Sequence, residues 1–205
     1  MKRKIIKLIS TSVLLSVIIV GCGNASSNEI NDEVSSNNKI TISISGSTSV
    51  GPLMGKLAEK YEKDNSNVSI EINEVGSSAG IKDAINGVSD IGMSSRELKS
   101  EEASEVKPTT IAYDGIAIIT NKNNPIKNLT VNEIKDIYTG KITNWSEILG
   151  GKDAPIVVVS REEGSGTRDA FQEIIGYESE ELVANSLITN GTGSIKQTVI
   201  GNKNA

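Results

Sequence analysis

Histidine is absent from this chain of 205 residues. Its absence excludes Ser-His-Asp and Cys-His catalysis and the commonest zinc sites. A single cysteine, Cys22, has no partner for a disulfide within the chain. Aromatic residues are scarce: one Trp, one Phe and four Tyr cannot build a stacking platform, so Trp145 and the others are read as core. A formal charge of −5 argues against a broad nucleic-acid patch. What remains is an ordinary apolar fraction and a length that suits one domain or two small ones.

The N-terminus differs from the rest. Lys2, Arg3, Lys4 and Lys7 form a basic head, and residues 8–20 are mostly apolar. That run has the length of a signal-peptide core and is too short for a comfortable membrane span. Val20-Gly21-Cys22 follows and resembles a bacterial lipoprotein box, which implies cleavage before Cys22 and acylation of its sulfur and new amine; the alternatives are an ordinary signal peptide or a buried thiol. Removal of residues 1–21 takes away four positive charges and no negative ones, leaving −9. Two or more acyl chains anchor firmly where one holds weakly. Residues 22–38 are polar and read as a flexible tether.

From Lys39 onward the periodicity alternates between two and 3.6. Ile40, Ile42 and Ile44 mark a strand, and Val68, Ile70 and Ile72 another. Residues 90–93 read as a short buried strand, 156–159 as a buried strand, and 111–120 as a long strand passing from one lobe to the next. Leu53, Leu57 and Tyr61 recur at helical spacing behind Pro52. Helices are also expected at 81–88, 97–105, 129–138, 145–149, 169–175, 180–185 and 194–200. The charged run 96–107 is read as a solvated helix face, and Asp90 as a turn or cap residue rather than a metal ligand. Strands alternating with helices predict an α/β fold with mainly parallel sheets.

Three times a strand runs into a Ser/Thr/Gly loop and then a helix: ISISGSTSVGPLM, INEVGSSAGIKDA and VVVSREEGSGTRDAF. A fourth segment, DIGMSSREL, is similar with less glycine. A helix N-terminus offers unpaired N–H groups and the positive end of its dipole. Glycine allows close approach of a ligand, and hydroxyls add donors. Several such ends aimed at one point can hold an anion without net positive charge. Arg161 adds a planar, permanently charged fork suited to a tetrahedral oxyanion. Taken singly, each loop is equally a helix cap or a turn. The loop EGSGTR lacks the lysine of a P-loop, and Glu163-Gly164-Ser165-Gly166 is not a nucleophile elbow.

GSTSVGPLM, EVGSSAGIKDA, IGMSSREL, LTVNEIKDIYTGKITNW and REEGSGTRDAF, in this order, resemble the phosphate-binding lipoproteins of ABC-type phosphate importers, the PstS family. The resemblance runs from about Ile40 to the C-terminus. It implies a two-lobed, periplasmic-binding-protein-like (type II) α/β fold, with lobes at 39–113 and 114–205, closing on inorganic phosphate by a hinge. Matching positions imply phosphate contacts from Thr48, Ser49, Ser77 and Ser95 in the first lobe. Arg161, Ser165, Gly166 and Thr167 are implied in the second, with Ser47 and Ser78 as near substitutes. It further implies a lipid anchor at Cys22 on the extracytoplasmic face of the cell membrane. Permease and ATPase subunits are implied as partners, and no cofactor, metal or catalytic residue.

The chain departs from the family in two places. Many relatives carry an aspartate where Ser95 stands; that carboxylate accepts a proton of phosphate and repels sulfate. Relatives also continue beyond the position of Ala205, with the rest of the second lobe and a return crossing to the first. The expectation is therefore an incomplete second lobe, with an uncovered strand edge and apolar surface. A fragment, a truncated product and one half of a split protein all fit. Two other functions fit the loops less closely: a receptor for another tetrahedral oxyanion such as sulfate or molybdate, and a phosphoryl-transfer or phosphate-ester enzyme. The missing histidine, lysine-bearing loop and metal cluster argue against the enzyme.

Overall fold

The computed structural model describes residues 39–205. The signal peptide, Cys22 and the tether expected from the sequence lie outside the described residues. Two parallel sheets organise the chain. The first has the order β2-β1-β3, formed by β1 (Ile40–Gly46), β2 (Val68–Glu74) and β3 (Ile91–Met93). The second joins β4 (Val159–Arg161) to β5 (Leu187–Thr189). Parallel neighbours require crossover connections, and helices supply them. In the first lobe these are α1 (Gly51–Asp64) and α2 (Ser77–Ile85), followed by the short α3 (Ser100–Ala103). In the second, α5 (Gly166–Ile175) makes the crossover from β4 to β5, with α4 (Val131–Tyr138) before β4 and α6 (Gly191–Gly201) after β5.

β1 is central, so its alternating isoleucines meet neighbours on both edges: Ile44 pairs in register with Ile72 of β2 and Ile91 of β3. Burial rises along β1, from Ile40 at 55% exposed to Ile44 at 3%. The carboxyl end of the strand is thus the packed end. There α2 crosses so closely that a Cβ on Gly80 would lie 2.3 Å from Gly46 Cα and 2.4 Å from the Ser45 carbonyl oxygen. Backbone cannot yield as a side-chain tip can, so Gly80→Ala is expected to destabilise the fold by about 1–3 kcal/mol. Thermal unfolding of the purified variant checks this, at about 2–4 °C per kcal/mol for a chain of this size. A melting temperature equal to that of the wild type would show that α2 can back away without cost.

The second lobe is packed around Ile126, Ile137, Trp145, Ile148 and Val158, beside a cluster of Ile134, Phe171, Ile175 and Tyr177. Trp145 is core, as expected, and its Nε1–H donates to the Asn204 carbonyl at 2.9 Å. Tyr138 and Phe171 stack tilted, with ring centroids 4.7 Å apart. α4 begins with a reciprocal cap: Thr130 accepts the Glu133 N–H, and the Glu133 carboxylate accepts the Thr130 N–H.

Several elements differ from the sequence reading. Residues 111–120 form no strand, and, among the described residues, 107–120 take part in no backbone–backbone hydrogen bond. A strand needs a neighbour to form a ladder, and no described strand runs beside this segment. Its apolar side chains are accordingly open, with Ile111 51% and Tyr113 96% exposed. The strand expected at 156–159 lies instead at Val159–Arg161, the only residues there that have β5 alongside. Residues 97–105 shrink to the single turn of α3, and 145–149 and 180–185 to the 3-10 turns Trp145–Glu147 and Ser179–Glu181. In α1, the stripe of Leu53, Leu57 and Tyr61 is 40–49% exposed, and Gly51 and Ala58 face inward.

Candidate functional site

Every glycine- and hydroxyl-rich loop singled out in the sequence lies at the carboxyl end of a strand. In open α/β sheets that is where ligands bind. β1 delivers Ser47, Thr48 and Ser49 ahead of α1; β2 delivers Ser77 at the start of α2; β3 delivers Ser95. β4 ends on Arg161, and the loop after it carries Ser165, Gly166 and Thr167 into α5. Ser165 is the N-cap of α5, accepting the Arg168 N–H at 3.3 Å.

These side chains form two adjacent hydrogen-bonded networks, each spanning both lobes, one built on Ser47, Ser49, Ser77, Ser95 and Thr167 and the other on Thr48, Arg161 and Thr192. Ser47 Oγ bonds Ser49 Oγ at 2.9 Å and Ser95 Oγ at 3.0 Å. The Ser95 N–H donates to Ser77 Oγ at 3.1 Å. Across the cleft, Ser49 Oγ lies 3.0 Å from Thr167 Oγ1, and Ser95 Oγ lies 3.4 Å from the same atom. Arg161 Nη2 donates to Thr48 Oγ1 at 3.1 Å. Gly166 packs against Ser77 and Ser95, and Ser77 and Ser165 are each 1% exposed. The structure thus brings together seven of the eight residues singled out from the sequence: Thr48, Ser49, Ser77, Ser95, Arg161, Gly166 and Thr167; Ser165 lies beside Gly166 and uses its Oγ to cap α5.

Three further residues belong to the cluster. Ser47, 2% exposed, had been given only as a near substitute. Thr192 Oγ1 accepts from Arg161 Nη1 at 3.2 Å, and the Thr192 N–H donates to Thr48 Oγ1 at 3.3 Å. The signal for it was present, because Ile188-Thr189-Asn190-Gly191-Thr192-Gly193-Ser194 repeats the strand, small-residue loop and helix order. The third is Glu162, whose two carboxylate oxygens accept from Arg161 Nε and Nη2 at 2.7 Å each. It also accepts the Gly191 N–H at 3.2 Å. Burial pushes the Glu162 carboxyl up, but the Arg161 guanidinium outweighs it and holds the group below its ordinary value. The site's one buried cation is therefore already neutralised by a neighbour. Attraction of an anion must come largely from oriented N–H and O–H dipoles. A cavity of about 340 Å³ opens beside Thr48 and Glu162, walled by Glu74 and the start of α6.

Two residues outside the cluster also settle. Asp90 accepts the Ser43 N–H and Oγ–H at 2.8 Å each, which holds its carboxyl below the ordinary value and ties β1 to the turn before β3. It is a turn residue, as read. Arg96 is not on a solvated helix face. Its side chain is 7% exposed and pairs with Glu102 at 2.7 Å, and the guanidinium holds the Glu102 carboxyl at about 2.

Two parallel α/β sheets presenting anion-suited strand ends to one another define a two-lobed binding protein. The model of the PBP superfamily domain matches residues 31–203. Similar solved structures include a phosphate ABC transporter substrate-binding protein with bound phosphate from Clostridium perfringens. It is 66% identical with a TM-score of 0.78, over 80% of this chain and 68% of that one. Another is an ABC-type phosphate transport receptor from Vibrio cholerae, 40% identical with a TM-score of 0.65, over 80% of this chain and 69% of that one. Phosphate-binding protein PstS 2 of Streptococcus agalactiae is 51% identical over 106 residues, covering 51% of this chain and 36% of that protein. Phosphate-binding protein PstS of Bacillus subtilis is 33% identical over 178 residues, covering 83% and 59%. The chain belongs to the PBP superfamily and, within it, to the PstS family, and it spans between about a third and three fifths of these two curated relatives.

Proposed function

We propose that this protein captures inorganic phosphate outside the cytoplasm and delivers it to the permease and ATPase subunits of an ABC importer. The observation that carries this reading is the convergence of strand-end loops from both lobes. They gather seven serine and threonine hydroxyls, the N-terminal turn of α5 and one arginine in one region. A tetrahedral oxyanion offers acceptors in every direction, and this arrangement offers donors from every side. Charge-assisted hydrogen bonds of this kind are short and strong once water is excluded. Excluding water requires the lobes to meet over the ligand, so binding and closure are one process. The residues take no part in bond making, and the role assigned to each is to donate to phosphate. The test is calorimetric titration of the chain with phosphate and with sulfate. Saturable heat with phosphate and a much weaker response to sulfate supports the proposal. No response to phosphate would refute it.

Ser95 favours a second reading, as a receptor for another oxyanion such as sulfate or molybdate. A hydroxyl can donate to a fully ionised anion, whereas a carboxylate would repel it. Tighter binding of sulfate than phosphate in the same titration would select this reading.

The location is also proposed, from the N-terminal sequence. A basic head, an apolar run and Gly21-Cys22 together support lipid anchoring of Cys22 at the extracytoplasmic face of the membrane. Cys22→Ser is expected to leave the protein unprocessed or to release it from the membrane fraction. Metabolic labelling with a fatty acid and fractionation read this directly. Processing and retention equal to wild type would remove the anchor.

A further inference from the structure

We propose that Arg96 and Asp169 form a latch across the cleft, and that this ion pair governs how fast a bound anion leaves. This rests on the reading above, in which the two lobes close over an oxyanion.

The geometry of the arginine carries the inference. Three of its neighbours belong to its own lobe. Glu102 receives Nη1 and Nη2 at 2.7 Å each, the Glu97 carbonyl receives Nη1 at 2.8 Å, and Ser78 Oγ receives Nη2 at 3.2 Å. These contacts fix the guanidinium plane and leave Nε facing the other lobe. There it meets Asp169 Oδ2 of α5 at 3.2 Å, close enough for an ion pair but without the alignment of a hydrogen bond. Among the ion pairs of the described residues, this is the one that joins the lobes; Lys60–Asp64, Arg96–Glu102, Lys141–Asp136 and Arg161–Glu162 each lie within one.

Each half of the pair is stable without the other. Arg96 keeps its bidentate partner Glu102. Asp169 sits in the first turn of α5, where the helix dipole favours a carboxylate, and its side chain is 35% exposed. Breaking a buried ion pair is costly when it strands a charge. Here neither charge is stranded, so the contact can open and re-form as the lobes move. The pair also lies beside the hydroxyl cluster rather than in it. Bonds such as Ser49–Thr167 and Thr48–Arg161 use the groups an anion would claim, and they must rearrange when it binds. The Arg96–Asp169 contact competes with nothing at the site, so it adds to the stability of the anion-bound, closed form. An interaction present in the closed complex and absent from the open encounter state acts on dissociation.

Asp169→Asn in the full chain tests this by stopped-flow measurement of phosphate release and association. Release is expected to quicken by about three- to tenfold, in the range of a partly exposed to half-buried pair. Association should change less than about twofold. Added potassium chloride should quicken release from the wild type and have less effect on the variant. Asp136→Asn removes the same charge from a pair confined to one lobe and is expected to leave release unchanged. Small-angle scattering without phosphate gives a reading independent of the ligand: the free protein samples the closed form in which the pair is made, and Asp169→Asn should sample it less and be the more expanded. Expansion with no detectable phosphate binding by the wild type would support the latch and overturn the phosphate reading. Release rates and scattering profiles equal to wild type, with phosphate bound, would overturn the latch alone.

Discussion

Arg161→Ala is expected to weaken the proposed phosphate binding by about one to two orders of magnitude, through loss of a charge-assisted hydrogen-bond donor worth roughly 1.5–3 kcal/mol. Arg161 is 6% exposed and joins Thr48 and Thr192 from opposite sides of the cleft. Its removal deletes the fork and also unpairs Glu162, whose side chain is 22% exposed and whose charge would then face the anion. The second effect pushes the loss toward the upper end of that range. Glu162→Gln combined with Arg161→Ala should therefore bind better than Arg161→Ala alone. Arg161→Lys recovers only part, since a lysine cannot hold Glu162 with two parallel bonds and also reach Thr48. Calorimetry on folded protein decides the matter. Wild-type affinity in Arg161→Ala would take the arginine out of the site.

Gly166→Ala is expected to reduce affinity on a comparable scale by a different route. A Cβ there would lie 2.2 Å from Ser77 Oγ and 2.9 Å from Ser95 Oγ. Gly166 and the two serines lie on opposite lobes, so the methyl group acts as a wedge. Either the hydroxyls swing out of place or α5 stands off. Overpacking of this kind costs about 1–3 kcal/mol, which corresponds to roughly five- to 150-fold in affinity. The clash is with side chains across the cleft, not within a lobe's core, so the melting temperature of the phosphate-free protein should hardly move. A variant that binds normally would mean the lobes approach less closely than they do here. One that melts much lower would mean the glycine supports the lobe itself.

Part of this site could be read from residues alone, and the reason is chemical. Loops that bind oxyanions need glycine and hydroxyls at strand ends, and those residue types are visible in GSTSV, GSSAG and EGSGT without any coordinates. Thr192 followed the same rule in a weaker form, because only Ile188 preceded its loop as a strong strand former. Glu162 was hidden for another reason. An acidic residue in an anion site contradicts simple charge matching, and only the bidentate contact with Arg161 accounts for it. Arg96 is misread because a charge run does not show that its chain folds back, so that the guanidinium is buried against Glu102 and reaches Asp169, 73 positions away. Long-range partners also explain the failure at residues 111–120. Apolar alternation shows what a segment could do beside a neighbour, and the sheet decides whether a neighbour exists. Strands β4 and β5, at three residues each, fall below the length at which period two is distinguishable.

Residues 107–120, which make no backbone–backbone hydrogen bonds with other described residues, lie between the first sheet and the second. The segment acts as a leash between two binding half-sites. Its length fixes an effective concentration of one half-site around the other, in the millimolar range for short flexible connections. At micromolar protein, pairing of Thr48, Ser77 and Ser95 with Arg161 and Thr167 therefore occurs within one molecule rather than between two. Apparent affinity for the anion should then be independent of protein concentration. Exchange of half-sites between molecules would become competitive only where the protein is packed at millimolar density.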